Sequence, residues 1–154
     1  MQSILRQARI RNGGVKIVIG VNLDSGRSRP FEKLADQVVK TSGTDPFFYH
    51  KPHDHNFNFL TVGYHGPGYA SDYYEYSYDS CDGVPGENVS LRFVENSNLE
   101  RNKVLLYRAF LDVHNQLPAQ SFSVSLNIME NSFRAAVMDQ YAFDITTGKI
   151  SGLL

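Results

Sequence analysis

The chain has 154 residues, enough for one domain with its own apolar core, and its 15 basic and 16 acidic residues leave it near neutral. That balance lacks the positive excess a phosphate-neutralising surface needs, so nucleic acid is not an expected partner. The single cysteine, Cys81, excludes an intrachain disulfide and the multi-cysteine zinc sites, and no stretch is apolar enough for a secretory signal or a membrane span. A cytoplasmic protein with no membrane partner is expected.

Residues 1–14 carry Arg6, Arg9 and Arg11 and are expected to form a solvated terminal arm ending in the turn Asn12-Gly13-Gly14. Residues 15–23 alternate or run apolar as the first sheet strand. Phe31, Leu34, Ala35, Val38 and Val39 recur at helical spacing through Lys40, with Pro30 near the first turn, which predicts a helix packed on the sheet. Residues 41–51 are punctuated by Gly43 and Pro46 and form an aromatic approach loop.

A strand is expected from about His53 to Tyr64, turned by Gly66-Pro67-Gly68 into a hairpin with the aromatic run 73–78. Alternation returns over 89–94. Residues 103–111 are nearly all apolar and are assigned to a strand, followed by a loop over 112–118. Residues 121–129 alternate with the cleanest period of two in the chain, residues 134–145 supply one or two more strands, and Thr146 to Lys149 forms a hairpin turn. Many strands, short turns and one helix indicate a mainly β fold: a small antiparallel β-barrel with an N-terminal αβ addition.

Four of the five histidines fall between positions 50 and 65. On a strand, His53, His55, Phe57 and Phe59 share one face, with Asp54 turned to the other, and two imidazoles about 6.7 Å apart along the strand can close on one metal ion. His114, between strands, is the best third ligand. His65 has the same parity, but lies roughly 33 Å from His55 on a straight strand, and is placed at the rim as an acid or base. His50 precedes Pro52 and lies outside the strand. Glu75 and Tyr107 are further candidates for acid–base or oxygen-binding roles. Asp112, two residues before His114, is the nearest carboxylate to accept that ring's second nitrogen. Arg108 competes for it as an ion-pair partner.

His53-Asp54-His55, followed much later by Asp112-Val113-His114 and the strand Ser123-Val124-Ser125-Leu126-Asn127, resembles the two-motif arrangement of the cupin superfamily, nearest to its three-histidine cysteine-dioxygenase-like branch. The resemblance covers residues 47–129. It implies a cupin-like barrel in which His53, His55 and His114 hold a non-haem iron(II) that activates dioxygen toward a small thiol. Phe59 and Leu60 stand where many cupins place a glutamate, which agrees with a three-histidine site. Zinc, nickel or manganese are the other ions to consider. The expectation is a metal-dependent oxygenase acting on a small molecule, as a homodimer. The competing reading is a metal-free β-barrel that binds a small ligand or another protein.

Overall fold

A computed structural model describes residues 2–9, 15–23 and 48–154. The helix expected over 31–40 and most of the approach loop lie outside the described residues. Ten strands are formed among the described residues: β1 Gln2–Arg9, β2 Val15–Leu23, β3 Phe59–His65, β4 Ala70–Glu75, β5 Arg92–Asn98, β6 Val104–Tyr107, β7 Asp112–Gln116, β8 Ser123–Glu130, β9 Tyr141–Asp144 and β10 Lys149–Leu153. A 3₁₀ turn, Tyr78–Ser80, and a single helical turn, α1 Arg134–Val137, complete the set.

Every ladder is antiparallel. One sheet has the order β1-β2-β8-β3-β6, a second the order β5-β4-β7, and β9 pairs with β10. Short bridges at His53 join β9 to β7, extending the second sheet toward the C-terminal hairpin. The two sheets meet where Tyr107 of β6 shares a hydrogen bond with Tyr73 of β4, 2.8 Å between hydroxyls. Among the described residues no strand pairing closes them into a barrel.

The terminal residues are no free arm. Gln2–Arg9 pairs along its whole length with β2, from Gln2 opposite Leu23 to Arg9 opposite Lys16. β1 is an edge strand, and charged residues are well tolerated there. The strand expected from His53 begins only at Phe59, because Asn56 and Asn58 engage other parts of the chain in place of a ladder. Asn56 donates to the carbonyls of Ala135 and Met138, at 3.1 and 2.6 Å. Asn58 donates to Glu130 at 2.7 Å and accepts from the Ala109 N–H at 2.8 Å.

The apolar run 103–111 stops pairing at Tyr107. Arg108 to Leu111 is a turn, with Phe110 at φ +61°, held by the Asp112 carboxylate accepting the Arg108 N–H at 2.7 Å. The expected loop at 112–118 is instead β7, whose Val113 and His114 are buried. The strand expected over 89–94 is shifted to Arg92–Asn98. β3 and β4 are not a hairpin, since they belong to different sheets. The chain turns between them at Gly66 and Gly68, both at positive φ.

The core under the second sheet is largely aromatic: Tyr76, Val89, Val113, Tyr141, Phe143 and Ile150 are all buried. Tyr76 packs edge-on to Phe143 at 5.0 Å, and Tyr78 stacks on Tyr141 at 5.1 Å. Tyr76 and Tyr78 of the aromatic run are thus used inside the chain.

A β-carbon at Gly68 would lie 1.8 Å from the Leu99 carbonyl oxygen at φ +78°, whereas Gly86, at φ +94°, has nothing within 4 Å. Gly68→Ala is expected to cost about 3 kcal/mol or more, combining a backbone clash with left-handed strain, and Gly86→Ala only the strain, about 1–2 kcal/mol. Urea denaturation of the two variants checks the difference.

Candidate metal centre

The site is built around a segment that belongs to neither sheet by length. The His53 N–H donates to the His114 carbonyl at 3.1 Å, and the His114 N–H returns the bond at 3.0 Å. On the other side the Phe143 N–H donates to the Pro52 carbonyl at 2.9 Å and the Asp54 N–H to the Tyr141 carbonyl at 3.1 Å. Residues 52–54 therefore act as a minimal strand between β7 and β9. Directly opposed residues of an antiparallel ladder share a face, so His53 and His114 project together. The row continues through Tyr73 to Glu95, their register partners on β4 and β5.

Asp54 points the other way, as strand alternation requires. It is fully buried, accepting the Tyr141 N–H at 2.6 Å and a short hydrogen bond from the Tyr76 hydroxyl. Burial raises its pKa to about 6, against the opposing pull of these two donors. His55 then returns to the side of His53. Its ring is flanked by Phe57 at 5.1 Å and Phe59 at 4.7 Å.

The three imidazoles converge. His114 Nε2 lies 3.2 Å from His53 Nε2 and 3.1 Å from His55 Nε2, and one ligand atom from each ring lies within 4.8 Å of the others. Two nitrogens bound about 2.0–2.1 Å from one ion, at angles of 90 to 110°, are about 2.8–3.4 Å apart. The two spacings to His114 fall in that range. Burial lowers the pKa of His53 and holds His55 and His114 well below the ordinary 6.5, with the neighbouring His53 adding to the effect on both. Neutral imidazoles are what a metal requires.

The proton inventory differs among the three rings. His53 Nδ1 is 2.7 Å from the Lys51 carbonyl oxygen, so it carries the proton and its Nε2 holds a lone pair. The Gln140 amide nitrogen donates to the Asp54 carbonyl at 3.1 Å and meets His55 Nδ1 at 3.3 Å, which leaves the proton of neutral His55 on Nε2. His114 Nδ1 is buried without a hydrogen-bond partner. If His114 is protonated at Nε2, it opposes the N–H of His55. If it is protonated at Nδ1, it faces the lone pair of His53 and buries an unpaired N–H. With the His55 proton on Nε2, no arrangement of three neutral rings satisfies both short contacts, and a cation among the three nitrogens would find three lone pairs only once that proton moves to Nδ1.

Of the other residues singled out from sequence, Tyr107 reaches the centre. It is buried, stacks on Phe59 at 4.2 Å and lies edge-on to His114 at 4.8 Å. Burial keeps its hydroxyl neutral, with a pKa well above the ordinary value. Glu75 sits beyond the centre, ion-paired with Arg92 and with Arg108 at 2.6 Å. It helps to line a cleft of about 160 Å³ together with Tyr73, Glu95, Tyr107, Arg108 and Asp112.

Asp112 does not supply the acceptor expected for His114. It shares a face of β7 with His114, two residues on, but its oxygens are taken by Arg108, with Asp112 Oδ1 2.6 Å from the guanidinium. His65 ends β3, six residues and about 20 Å of strand beyond Phe59, and is exposed, with its ring 5.7 Å from Phe122. His50 is exposed at φ +56°.

Three neighbours of the centre are additional to those expected: Tyr73, Gln140, and Phe48, whose ring lies 5.2 Å from His53. Tyr73 shares the face of Glu75 on one strand, a parity visible in the aromatic run. Gln140 carries no sequence signal, being 85 residues from its contact with His55.

No protein-family model matches this chain, and no curated protein matches it. The class that the fold and site define is a mainly β, antiparallel protein with a buried three-histidine group able to hold a metal ion.

Asp54→Asn would leave an amide N–H₂ facing one of two buried donors, so a loss of about 1–3 kcal/mol is expected, with metal affinity weakened through the loosened His53 and His55. Asp112→Asn should cost less than about 1 kcal/mol, as for an exposed ion pair, with metal affinity unchanged. Parallel denaturation and metal titration of both variants check this.

The lowered histidine pKa values set a pH dependence for the metal-free protein. Below 6.5 the unfolded chain binds protons that the three folded imidazoles refuse, so stability falls as pH drops through that value. Asp54 acts oppositely: with a folded pKa of about 6 against 3.8, it takes up a proton on folding within that window. Three groups outweigh one, and the urea midpoint of metal-free protein should be lower at about pH 6 than at about pH 7.5. An equal or higher midpoint at the acidic value would contradict the burial assigned to the imidazoles.

Proposed function

We propose that this chain is a cupin-like metal-dependent enzyme in which His53, His55 and His114 hold one divalent transition metal, iron(II), for an oxygenase reaction on a small molecule. The observation that carries the reading is the convergence of three imidazoles held neutral by burial, with the Nε2 atoms of His53 and His55 each at a spacing from His114 Nε2 suited to one ion. The order of the two histidine motifs along the chain and the two facing antiparallel sheets support the cupin-like assignment. Iron is favoured by that resemblance, since imidazoles alone accept zinc, nickel or manganese.

His53, His55 and His114 would hold the iron(II), which would supply redox chemistry toward dioxygen when bound. The chain's own residues provide the surroundings. Phe57 and Phe59 flank His55 and exclude water from that side. Tyr73 and Tyr107, whose hydroxyls are paired, both line the cleft and pack against the His114 ring, and can orient a polar group of a small substrate while remaining neutral. The ion pairs among Glu75, Arg108 and Asp112 form the outer wall.

One observation favours the competing reading, a metal-free binding module: the Gln140 amide leaves the proton of His55 on the nitrogen that faces the other two rings.

Metal analysis of protein purified without chelator separates the two readings, with near one transition-metal ion per chain expected. His53→Ala, His55→Ala and His114→Ala should each abolish binding, and His50→Ala should not. Equal loss in all four would overturn the ligand set. Protein that stays metal-free after anaerobic reconstitution with iron(II) would remove the enzyme reading. Dioxygen uptake by iron-loaded protein presented with small thiols tests the oxygenase assignment.

A further inference from the structure

Each of three ligand histidines needs its Nδ1 protonated if Nε2 is to face a metal. His53 meets this condition through the Lys51 carbonyl. His55 does not, because the group beside its Nδ1 is a donor. The Gln140 amide nitrogen is identified as such by its 3.1 Å contact with the Asp54 carbonyl oxygen, which can only accept. Its second hydrogen is directed to His55 Nδ1, 3.3 Å away. The helical turn α1 lies just before Gln140, held by Asn56, and Tyr141 just after it is held by Asp54. The backbone on both sides of Gln140 is therefore fixed to the very segment that carries His55.

We infer that Gln140 is a positioning residue that holds His55 in the Nε2–H tautomer and thereby limits the metal affinity of the site. The inference rests on the metal reading above. Binding requires the imidazole proton to pass from Nε2 to Nδ1 with no net gain or loss, and the Gln140 amide to turn so that Oε1 accepts it. That turn sets Oε1 against the Asp54 carbonyl and removes a hydrogen bond. His55 is consequently a weaker ligand than His53, and the side chain at position 140 sets how readily it engages.

The test uses the full chain. In metal-free protein, long-range ¹H–¹⁵N correlation of the imidazoles reports the tautomers directly, with His53 as an internal Nδ1–H reference that also confirms folding. His55 is expected as Nε2–H in the parent and as Nδ1–H in Gln140→Glu, whose carboxylate accepts the proton. Titration with Co(II), in competition with a chelator, should then show Gln140→Glu binding about 10-fold or more tightly than the parent, the scale on which partners of ligand histidines act. Gln140→Met, which removes the donor without adding charge, should bind at least as tightly as the parent. An Nδ1–H tautomer in the parent, or a Gln140→Met variant that keeps the His53 signature yet binds about 10-fold more weakly, would overturn the inference. If parent and variants all fail to take up Co(II), the metal reading fails, while the tautomer spectra still decide what Gln140 does to His55.

Discussion

The carboxylate of Asp54 is the constraint on which the site depends. It occupies the middle of a histidine pair, and a chain in extended conformation must send positions 53 and 55 opposite to position 54. Fixing Asp54 to the Tyr141 N–H and the Tyr76 hydroxyl therefore aims both imidazoles away from the aromatic core. Burying a carboxylate is unfavourable, and its raised pKa shows that two donors do not fully compensate. The unfavourable burial is accepted in return for orientation: a neutral residue there would hold the backbone less firmly, and the rings would be free to rotate.

The second determinant is the cross-strand pairing of His53 with His114. Residues 61 positions apart are brought opposite each other by two backbone hydrogen bonds, so the angle between their side chains is set by the sheet and not by rotamer choice. His55 reaches the same point from a segment that has already left the ladder and is crossing toward β3. Two imidazoles from a ladder and one from a bend give the site both a rigid and an adjustable part, and Gln140 touches the adjustable one.

Much of the centre was legible in the sequence because histidine is scarce here and the pair at 53 and 55 has the spacing of one strand face. His114 could be found as the remaining histidine near a strand context, although the strand itself was misread: the apolar run through Phe110 and Leu111 hid the turn that Asp112 closes on Arg108. That turn also explains why Asp112 is no partner of His114. Nearness in sequence and a shared face of β7 favoured it, but its carboxylate is engaged by Arg108. The antiparallel, mainly β architecture followed from short strands and turns. The division into two sheets did not, because it depends on Asn56 and Asn58 breaking the ladder through side-chain contacts with residues 72 to 82 positions away. β1 escaped notice for a related reason: a charged edge strand has little pattern of its own and is specified by the partner it pairs with.

The bridge at residues 52–54 is also a seam. Among the described residues the backbone pairing of the β9–β10 hairpin toward β7 runs through this stretch, with a further tie to the segment near Asn88 and side-chain packing on Val113. Opening the His53–His114 pairing would therefore release a C-terminal cooperative unit as well as dismantle the centre. The backbone amides of Asp54, His114 and Phe143, widely separated in the chain, are bonded across the same seam. They share one opening event, and whatever steadies the imidazoles slows the exchange of all three with solvent.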